Sequence, residues 1–189
     1  MAGIRPRARQ TGAMGRPTTG GASWLRPGVV RRASTIEGDG LFAAEDLPPG
    51  AVVARLHGRL VDDVELNRLL AAAGDGGGYV DTIMVEDDVN LVLDPDQEVH
   101  YANHSCDPSM WHVDPTTIAT RRAVRVGEEL TVDYATQTTH PDFELTCRCG
   151  AAQCRGTVTG VDWTDPDWRN RYEGHVVPAV EDAISRWGR

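Results

Sequence analysis

The sequence contains no lysine: all 19 of its basic residues are arginine, and they are outnumbered by 28 acidic residues. It has only four cysteines, and no apolar run approaches the roughly 18 residues that a membrane-spanning helix needs. The basic N-terminus is not followed by an apolar segment, so no secretory signal peptide is expected. We therefore predict a cytoplasmic protein without membrane contact, whose cysteines are reduced thiols or metal ligands rather than disulfides.

The charge is divided unevenly along the chain. Residues 1–32 hold seven arginines and no acid, whereas residues 33–189 hold 12 arginines and 28 acids, a charge of −16. Residues 1–27 are rich in Gly, Pro, Thr and Arg, which predicts a disordered tail that the fold does not need. A transit peptide or a nucleic-acid-binding arm has the same composition. The acidic remainder disfavours any other nucleic-acid surface; it is either a solvated face or attracts a basic peptide.

The pattern of apolar and turn residues from Gly28 onwards is typical of a mainly β protein. There is no regular alternation of strands and helices, which disfavours a doubly wound parallel sheet. Strands are predicted at 29–32, 41–44, 51–56, 59–61, 79–85, 90–93, 118–120 and 129–132. A helix is predicted from Asp62 or Asp63 to about Ala73, with a loop over 74–78. A terminal helix over Pro178–Trp187 carries an apolar stripe that we expect to pack on the domain; a helix that binds a partner is the alternative.

Three of the four cysteines are crowded into the pattern Cys147-Arg-Cys149-Gly-Ala-Ala-Gln-Cys154. Zinc prefers four thiolate or imidazole ligands in a tetrahedron, and one tight loop can supply three of them. Cys106 is the only other cysteine, and His140 is the less favoured choice for the fourth ligand. Buried free thiols or a disulfide pair are the alternatives, although a disulfide within C-x-C is strained.

Three further segments gain meaning from their order. They are Gly38-Asp-Gly-Leu-Phe42, Asn103-His-Ser-Cys-Asp-Pro108 and Gly127-Glu-Glu-Leu-Thr-Val-Asp-Tyr134. Each alone is a weak signal. Followed by the cysteine pattern, they resemble the SET-domain protein lysine methyltransferases that carry a post-SET zinc-binding motif. The resemblance covers roughly Gly28 to Val158.

The resemblance implies a SET-domain β-clip, built from small sheets with a C-terminal pseudoknot, short helices and a post-SET zinc loop. The implied organisation is the tail over 1–27, a SET domain over 28–138 with a variable insert at about 61–98, a zinc loop over 143–158 and a helical extension over 159–189. The implied activity is transfer of a methyl group from S-adenosylmethionine to the lysine amine of a protein substrate. The alternative is a non-catalytic SET module that binds a peptide or protein partner.

The resemblance also assigns residues. Tyr134 is implied as the catalytic tyrosine, and Cys106, Cys147, Cys149 and Cys154 as the ligands of a structural zinc ion. The implied cofactor-binding residues are Gly38, Asp39, Gly40, Leu41, Asn103 and His104. Members of the family often carry an aromatic residue two positions before the catalytic tyrosine, whereas this chain has Val132. Tyr79, Trp111, His112 and Val132 are therefore the candidates for lining the substrate channel.

Overall fold

The computed structural model describes residues 21–76 and 79–187, so most of the predicted tail and the end of the predicted glycine loop lie outside the described residues. The strands are β1 (Trp24–Leu25), β2 (Val29–Ala33), β3 (Asp39–Ala43), β4 (Val52–Arg55), β5 (Gly58–Val61), β6 (Thr82–Glu86), β7 (Val89–Leu93), β8 (Met110–Asp114), β9 (Thr117–Thr120), β10 (Glu129–Leu130), β11 (Glu144–Thr146) and β12 (Thr157–Thr159). The α-helices are α1 (Asp63–Gly76), α2 (Pro166–Tyr172) and α3 (Pro178–Trp187). Short 3-10 helices cover Glu98–Tyr101, Tyr134–Gln137 and Asp162–Thr164.

The strands form small antiparallel sheets, which confirms the predicted mainly β fold. A four-stranded sheet has the order β1-β4-β9-β8, and two three-stranded sheets have the orders β10-β3-β2 and β5-β7-β6. Strands β11 and β12 form a separate pair. One apolar core joins the sheets, because Val53 of β4, Leu91 of β7 and Leu130 of β10 are fully buried members of the same cluster. Tyr134 packs against this cluster, so the core helps to hold its side chain in place.

Several predicted boundaries are wrong. The helix predicted to end near Ala73 continues to Gly76, because three consecutive alanines carry the helix past Gly74 at a cost of about 1 kcal/mol for that glycine. The strand predicted over 79–85 begins only at Thr82, and Tyr79 is 78% exposed. The strand predicted over 129–132 ends at Leu130. Strands β1, β8, β11 and β12 were not expected from the sequence.

The predicted tail ends earlier than Pro27. Trp24 and Leu25 form β1, which pairs with β4 at the edge of the four-stranded sheet. The Ser23 hydroxyl donates a hydrogen bond to the His57 carbonyl and accepts one from the His57 N–H, at 3.2 and 3.0 Å. The sequence did not reveal this strand, because two residues are too few to show the alternation of a β-strand. The residues around it also have the composition of a disordered tail.

The C-terminal segment, residues 159–187, packs on the domain as expected. Trp168 and Tyr172 of α2 and Val180 of α3 are buried in the common core. At the end of the predicted apolar stripe, Trp187 is instead 65% exposed and lies edge-on to Trp163. Among the described residues, no helix is long and apolar enough to span a membrane.

Candidate functional site

Tyr134 begins a 3-10 helix that is held tightly at its first turn. The Asp133 side chain caps this helix by accepting a hydrogen bond from the Ala135 N–H, at 3.1 Å. The Tyr134 hydroxyl donates to the Ala102 carbonyl over 3.0 Å. Burial raises the pKa of Tyr134 well above its usual value of 10, so this hydroxyl stays protonated at every physiological pH.

Two cavities meet at Tyr134. The larger one, about 530 Å³, is lined on this side by Val132, Tyr134 and Leu145. The smaller one, about 100 Å³, is lined by Ile36, Glu37, Asn103, His104, Tyr134, Leu145, Thr146, Cys147 and Arg148. Tyr134 and Leu145 belong to both walls, so a group bound in either cavity can reach the same tyrosine.

The side chain of Asn103 ties the wall of the smaller cavity to the Gly38-Asp39-Gly40 turn. Its Nδ2 donates hydrogen bonds to the carbonyls of Glu37 and Asp39, both at 3.1 Å. Gly38 has φ +45°, a conformation that favours glycine. A Cβ on Gly40 would meet the Glu129 carboxylate, so a larger residue there would push that side chain away from Asn103. The turn thus brings backbone groups and the Asn103 amide to one place.

Two neighbouring backbone segments are joined next to this turn. The Val132 N–H donates to the Asn103 carbonyl over 3.0 Å, and the Ser105 N–H donates to the Val132 carbonyl over 2.9 Å. His104 and Val132 form a parallel bridge between them. This pairing places Asn103 and His104 beside Tyr134, although about 30 residues separate them in the sequence.

The four cysteines lie together. Their sulfur atoms are all within 4.8 Å of one another, and the Cys106 and Cys147 sulfurs are 3.7 Å apart. All four are free of disulfides. A tetrahedral zinc ion with Zn–S bonds of about 2.3 Å needs sulfurs roughly 3.8 Å apart, so the group has the right donors and nearly the right spacing. His140 lies elsewhere, at the larger cavity, with its Nε2 3.9 Å from Asp63.

Backbone N–H groups already point at these sulfurs. The N–H of Arg155 donates to Cys106 Sγ, and the N–H of Cys106 donates to Cys149 Sγ, both at 3.4 Å. Burial nevertheless raises the pKa of the Cys106 thiol to about 11. A bound divalent cation would keep such a buried sulfur deprotonated, so the chemistry of the cluster fits a metal site.

The larger cavity is acidic at its rim. Asp81, Asp142 and Glu144 line it, and no arginine is among the described residues that do so. His100 also lines it, with its Nδ1 2.6 Å from Asp81. The hydrogen bond to Asp81 raises the pKa of His100, although burial opposes this. The remaining walls are mostly apolar, so the cavity combines apolar walls with acidic side chains.

A SET domain family model matches residues 38–135, which is about half of the chain. The chain belongs to the SET-domain family. Its similarity to Histone-lysine N-methyltransferase ash1 of Drosophila melanogaster is 29% identity over 72% of this chain and 6% of that protein. To Histone-lysine N-methyltransferase 2B of Homo sapiens it is 33% identity, over 68% of this chain and 5% of that protein. The chain therefore spans only a small part of these relatives.

The fold is also that of a solved SET domain. The crystal structure of the methyltransferase domain of human Histone-lysine N-methyltransferase SETMAR has a TM-score of 0.57 with this chain at 20% identity. The match covers 70% of this chain and 58% of that one. At this identity the likeness shows the fold alone.

The structure does not bring the four predicted channel residues of this SET domain together. Tyr79 and Val132 line the larger cavity. Trp111 instead stacks on His175, with ring centroids 3.3 Å apart. His112 is 1% exposed and is hydrogen-bonded to Gln137 and to the Asp114 carbonyl. Both residues belong to β8, an edge strand that the sequence did not reveal, and its side chains meet the C-terminal segment and the core rather than the cavity.

Sequence reasoning also missed residues that hold the SET-domain site together. Glu129 accepts hydrogen bonds from Ser34 Oγ at 2.8 Å and from Asn103 Nδ2 at 2.9 Å. Asp133 is bound by Arg155 through two hydrogen bonds. The side chain of Leu41, predicted at the cofactor, is buried in the core at 1% exposure, which leaves only its backbone for a ligand. The one sequence feature that pointed to hydrogen-bonding roles for Glu129 and Asp133 is the excess of carboxylates in the Gly127–Tyr134 motif.

Proposed function

We propose that this SET domain transfers a methyl group from S-adenosylmethionine to the side-chain amine of a lysine in a protein substrate. The observation that carries the proposal is the position of Tyr134, which lines two cavities at once. A two-substrate transfer needs the reacting atoms brought together in line, and positioning supplies much of the rate enhancement. A tyrosine shared by both cavities is suited to that task.

The smaller cavity is the proposed cofactor site. When bound, S-adenosylmethionine supplies an electrophilic methyl group on a sulfonium. The residues proposed to hold it are Gly38, Asp39, Gly40, Asn103 and His104, together with the backbone of Leu41. The cavity of about 100 Å³ is smaller than most ligand sites, so it would enclose only part of the cofactor.

The larger cavity is the proposed entry for the lysine. A free lysine has a pKa of about 10.4, and its amine attacks only after losing a proton. The apolar wall beside Val132 and Tyr134 disfavours the ammonium form and so lowers that pKa. The neutral Tyr134 hydroxyl orients the nitrogen lone pair and faces the positive charge that develops on nitrogen. No histidine base is required by this arrangement.

The acidic rim favours a basic substrate. Asp81, Asp142 and Glu144 attract positively charged residues next to the target lysine, and long-range attraction speeds their encounter. Relatives of this chain are named histone-lysine methyltransferases, and histone-like basic proteins are the substrates that we propose to test first.

We also propose that Cys106, Cys147, Cys149 and Cys154 bind one structural zinc ion. Four ligands without an open position are typical of structural rather than catalytic zinc. The ion would fasten the post-SET loop to the segment that carries Asn103 and His104. The cytoplasmic location stays a prediction.

The test is methyl transfer from labelled S-adenosylmethionine to a mixture of basic proteins. Tyr134→Phe removes one oxygen and is expected to lower incorporation about 10²–10³-fold, the usual effect of losing one preorganised polar group. Tyr101→Phe is the matched control, because it removes the same atom from a tyrosine that lines neither cavity. The chain has no lysine, so its own lysine methylation adds no background.

Equal incorporation by the wild type and Tyr134→Phe would overturn the role of Tyr134. Cofactor binding without transfer to any protein would favour the non-catalytic module instead.

A further inference from the structure

Asp133 takes no direct part in the proposed chemistry, but its carboxylate accepts hydrogen bonds from several parts of the chain. Its side chain has no exposed surface. Arg155 Nη1 and Nη2 donate to its two oxygens over 2.6 and 2.7 Å. The indole N–H of Trp168 donates to Oδ2 over 3.2 Å, and the Ala135 N–H donates to Oδ1 over 3.1 Å. Asp133 therefore connects the helix of Tyr134 with two distant parts of the chain.

The C-terminal segment reaches the site at two other points. The Val177 N–H donates to the Thr136 carbonyl over 3.0 Å, inside the 3-10 helix that Tyr134 begins. Arg171 Nη1 donates to the Cys106 carbonyl over 3.0 Å. Trp168 thus contacts the cap of the 3-10 helix that Tyr134 begins, and Arg171 contacts the cysteine cluster. Val177 contacts the helix itself. A segment that merely covered apolar surface would not need these directed polar contacts.

We propose that the C-terminal segment positions Tyr134, and that Trp168 does so by holding the Asp133 carboxylate in its capping orientation. The inference rests on the proposed function of Tyr134. Of the four hydrogen bonds to the Asp133 carboxylate, Arg155 supplies two, the Ala135 N–H supplies one and Trp168 supplies one. With the indole N–H removed, Oδ2 keeps one donor, and the carboxylate can rotate away from the Ala135 N–H. The first turn of the 3-10 helix then loosens, and the Tyr134 hydroxyl loses its fixed direction.

Trp168→Phe tests this role, because it keeps an aromatic ring in the core and removes the donor. The matched control is Trp163→Phe in the same segment, where the indole N–H donates to the Gly160 carbonyl instead. We expect kcat to fall about tenfold in Trp168→Phe, less than the roughly 10²-fold that a 1 Å misplacement can cost. The KM for S-adenosylmethionine and the zinc content should stay unchanged, and Trp163→Phe should keep the wild-type kcat.

Hydrogen exchange of the Ala135 amide gives a readout that does not depend on transfer. It should exchange faster in Trp168→Phe and at the wild-type rate in Trp163→Phe. Should the wild type prove inactive, the exchange result still tests the positioning, so the two proposals fail separately. Arg155→Lys is the second variant, because lysine keeps the charge but loses the paired donors, and it should also lower kcat.

An unchanged Ala135 exchange rate in Trp168→Phe would overturn the inference. An equal fall of kcat in the two tryptophan variants would overturn it as well, since general loosening of the segment would then explain both.

Discussion

The backbone N–H of Tyr134 donates a hydrogen bond to Nδ1 of His104 over 3.2 Å. Because Nδ1 accepts, the ring proton of the neutral imidazole sits on Nε2, which lies 3.4 Å from the Cys106 sulfur. Burial lowers the pKa of His104 to about 4, so the ring is neutral at physiological pH. One buried imidazole therefore links the proposed catalytic residue to the proposed metal site.

Loss of the metal should consequently disturb Tyr134. We expect one zinc ion per chain in metal analysis, and we expect Cys106→Ser or chelation to lower the melting temperature and to reduce turnover more than tenfold. Zinc binding to structural sites is worth about 10–16 kcal/mol, so its removal disorders the loop around the cysteines. His140→Gln is the control and should keep its zinc. Protein purified under reducing conditions without any zinc would contradict this prediction.

The pH dependence of the rate should reflect titration of the substrate lysine amine rather than of a side chain of this protein. The raised pKa of Tyr134 keeps its hydroxyl protonated, and the pKa values of His104 and His112 are both lowered to about 4. The rate should therefore increase about tenfold per pH unit below the pKa of the bound lysine amine and then level off. Tyr134→Phe should keep this slope at a lower rate. A bell-shaped profile centred near pH 6.5 would instead implicate a histidine as an acid or base.

The parts of the site that were visible in the sequence are those whose chemistry is local. The Gly38-Asp39-Gly40 turn needs glycine for its backbone, and a metal loop needs cysteines at fixed spacing, so both leave a signature within a few residues. The sequence did not show that Trp111 and His112 lie away from the larger cavity, for the opposite reason. Which way the side chains of β8 point depends on its pairing with β9 and on the C-terminal segment above it, and neither is encoded in the strand itself.

The partners of Asp133 show the same limit. Arg155 and Trp168 are 22 and 35 residues further along the chain. Hydrogen bonds of this range have no periodicity, so a single sequence gives no pattern from which to find them. The apolar residues around Trp168 predicted that this segment is buried, because burial follows from composition. They did not predict which polar atom the indole N–H would meet.

The edge strand β1 leads to a test of where the folded domain begins. A chain starting at Gly21 keeps the pairing of Trp24 and Leu25 with β4 and the bonds between Ser23 and His57. A chain starting at Gly28 loses them. With a net contribution of about 0.5–1.5 kcal/mol for each hydrogen bond, the shorter chain should be less stable by about 2 kcal/mol or more in urea unfolding. Equal midpoints for the two chains would show that β1 adds nothing to stability.

His112 should make the protein sensitive to acid. Its Nδ1 donates to the Asp114 carbonyl over 3.2 Å and its Nε2 accepts from the Gln137 amide over 3.0 Å, a pair of bonds that only the neutral ring can make. Burial lowers its pKa from 6.5 to about 4 in the folded chain. Between these values the unfolded chain binds a proton that the folded chain does not. The contribution of His112 is therefore complete above pH 6.5 and declines by up to about 3 kcal/mol as the pH falls to 4.

Urea unfolding of His112→Gln between pH 7 and pH 4 measures this contribution. Glutamine keeps an acceptor for Gln137 but does not titrate, so the variant should start less stable and lose less of its free energy of unfolding on acidification. His100→Gln provides a comparison of opposite sign. The hydrogen bond to Asp81 raises the pKa of His100, so its contribution is complete below pH 6.5 and is lost as the pH rises through the folded-state pKa. His100→Gln should therefore lose more of its free energy of unfolding on acidification than the wild type does. Identical pH slopes in the wild type and His112→Gln would contradict the prediction for His112, and would show that His112 accepts a proton without leaving its buried position.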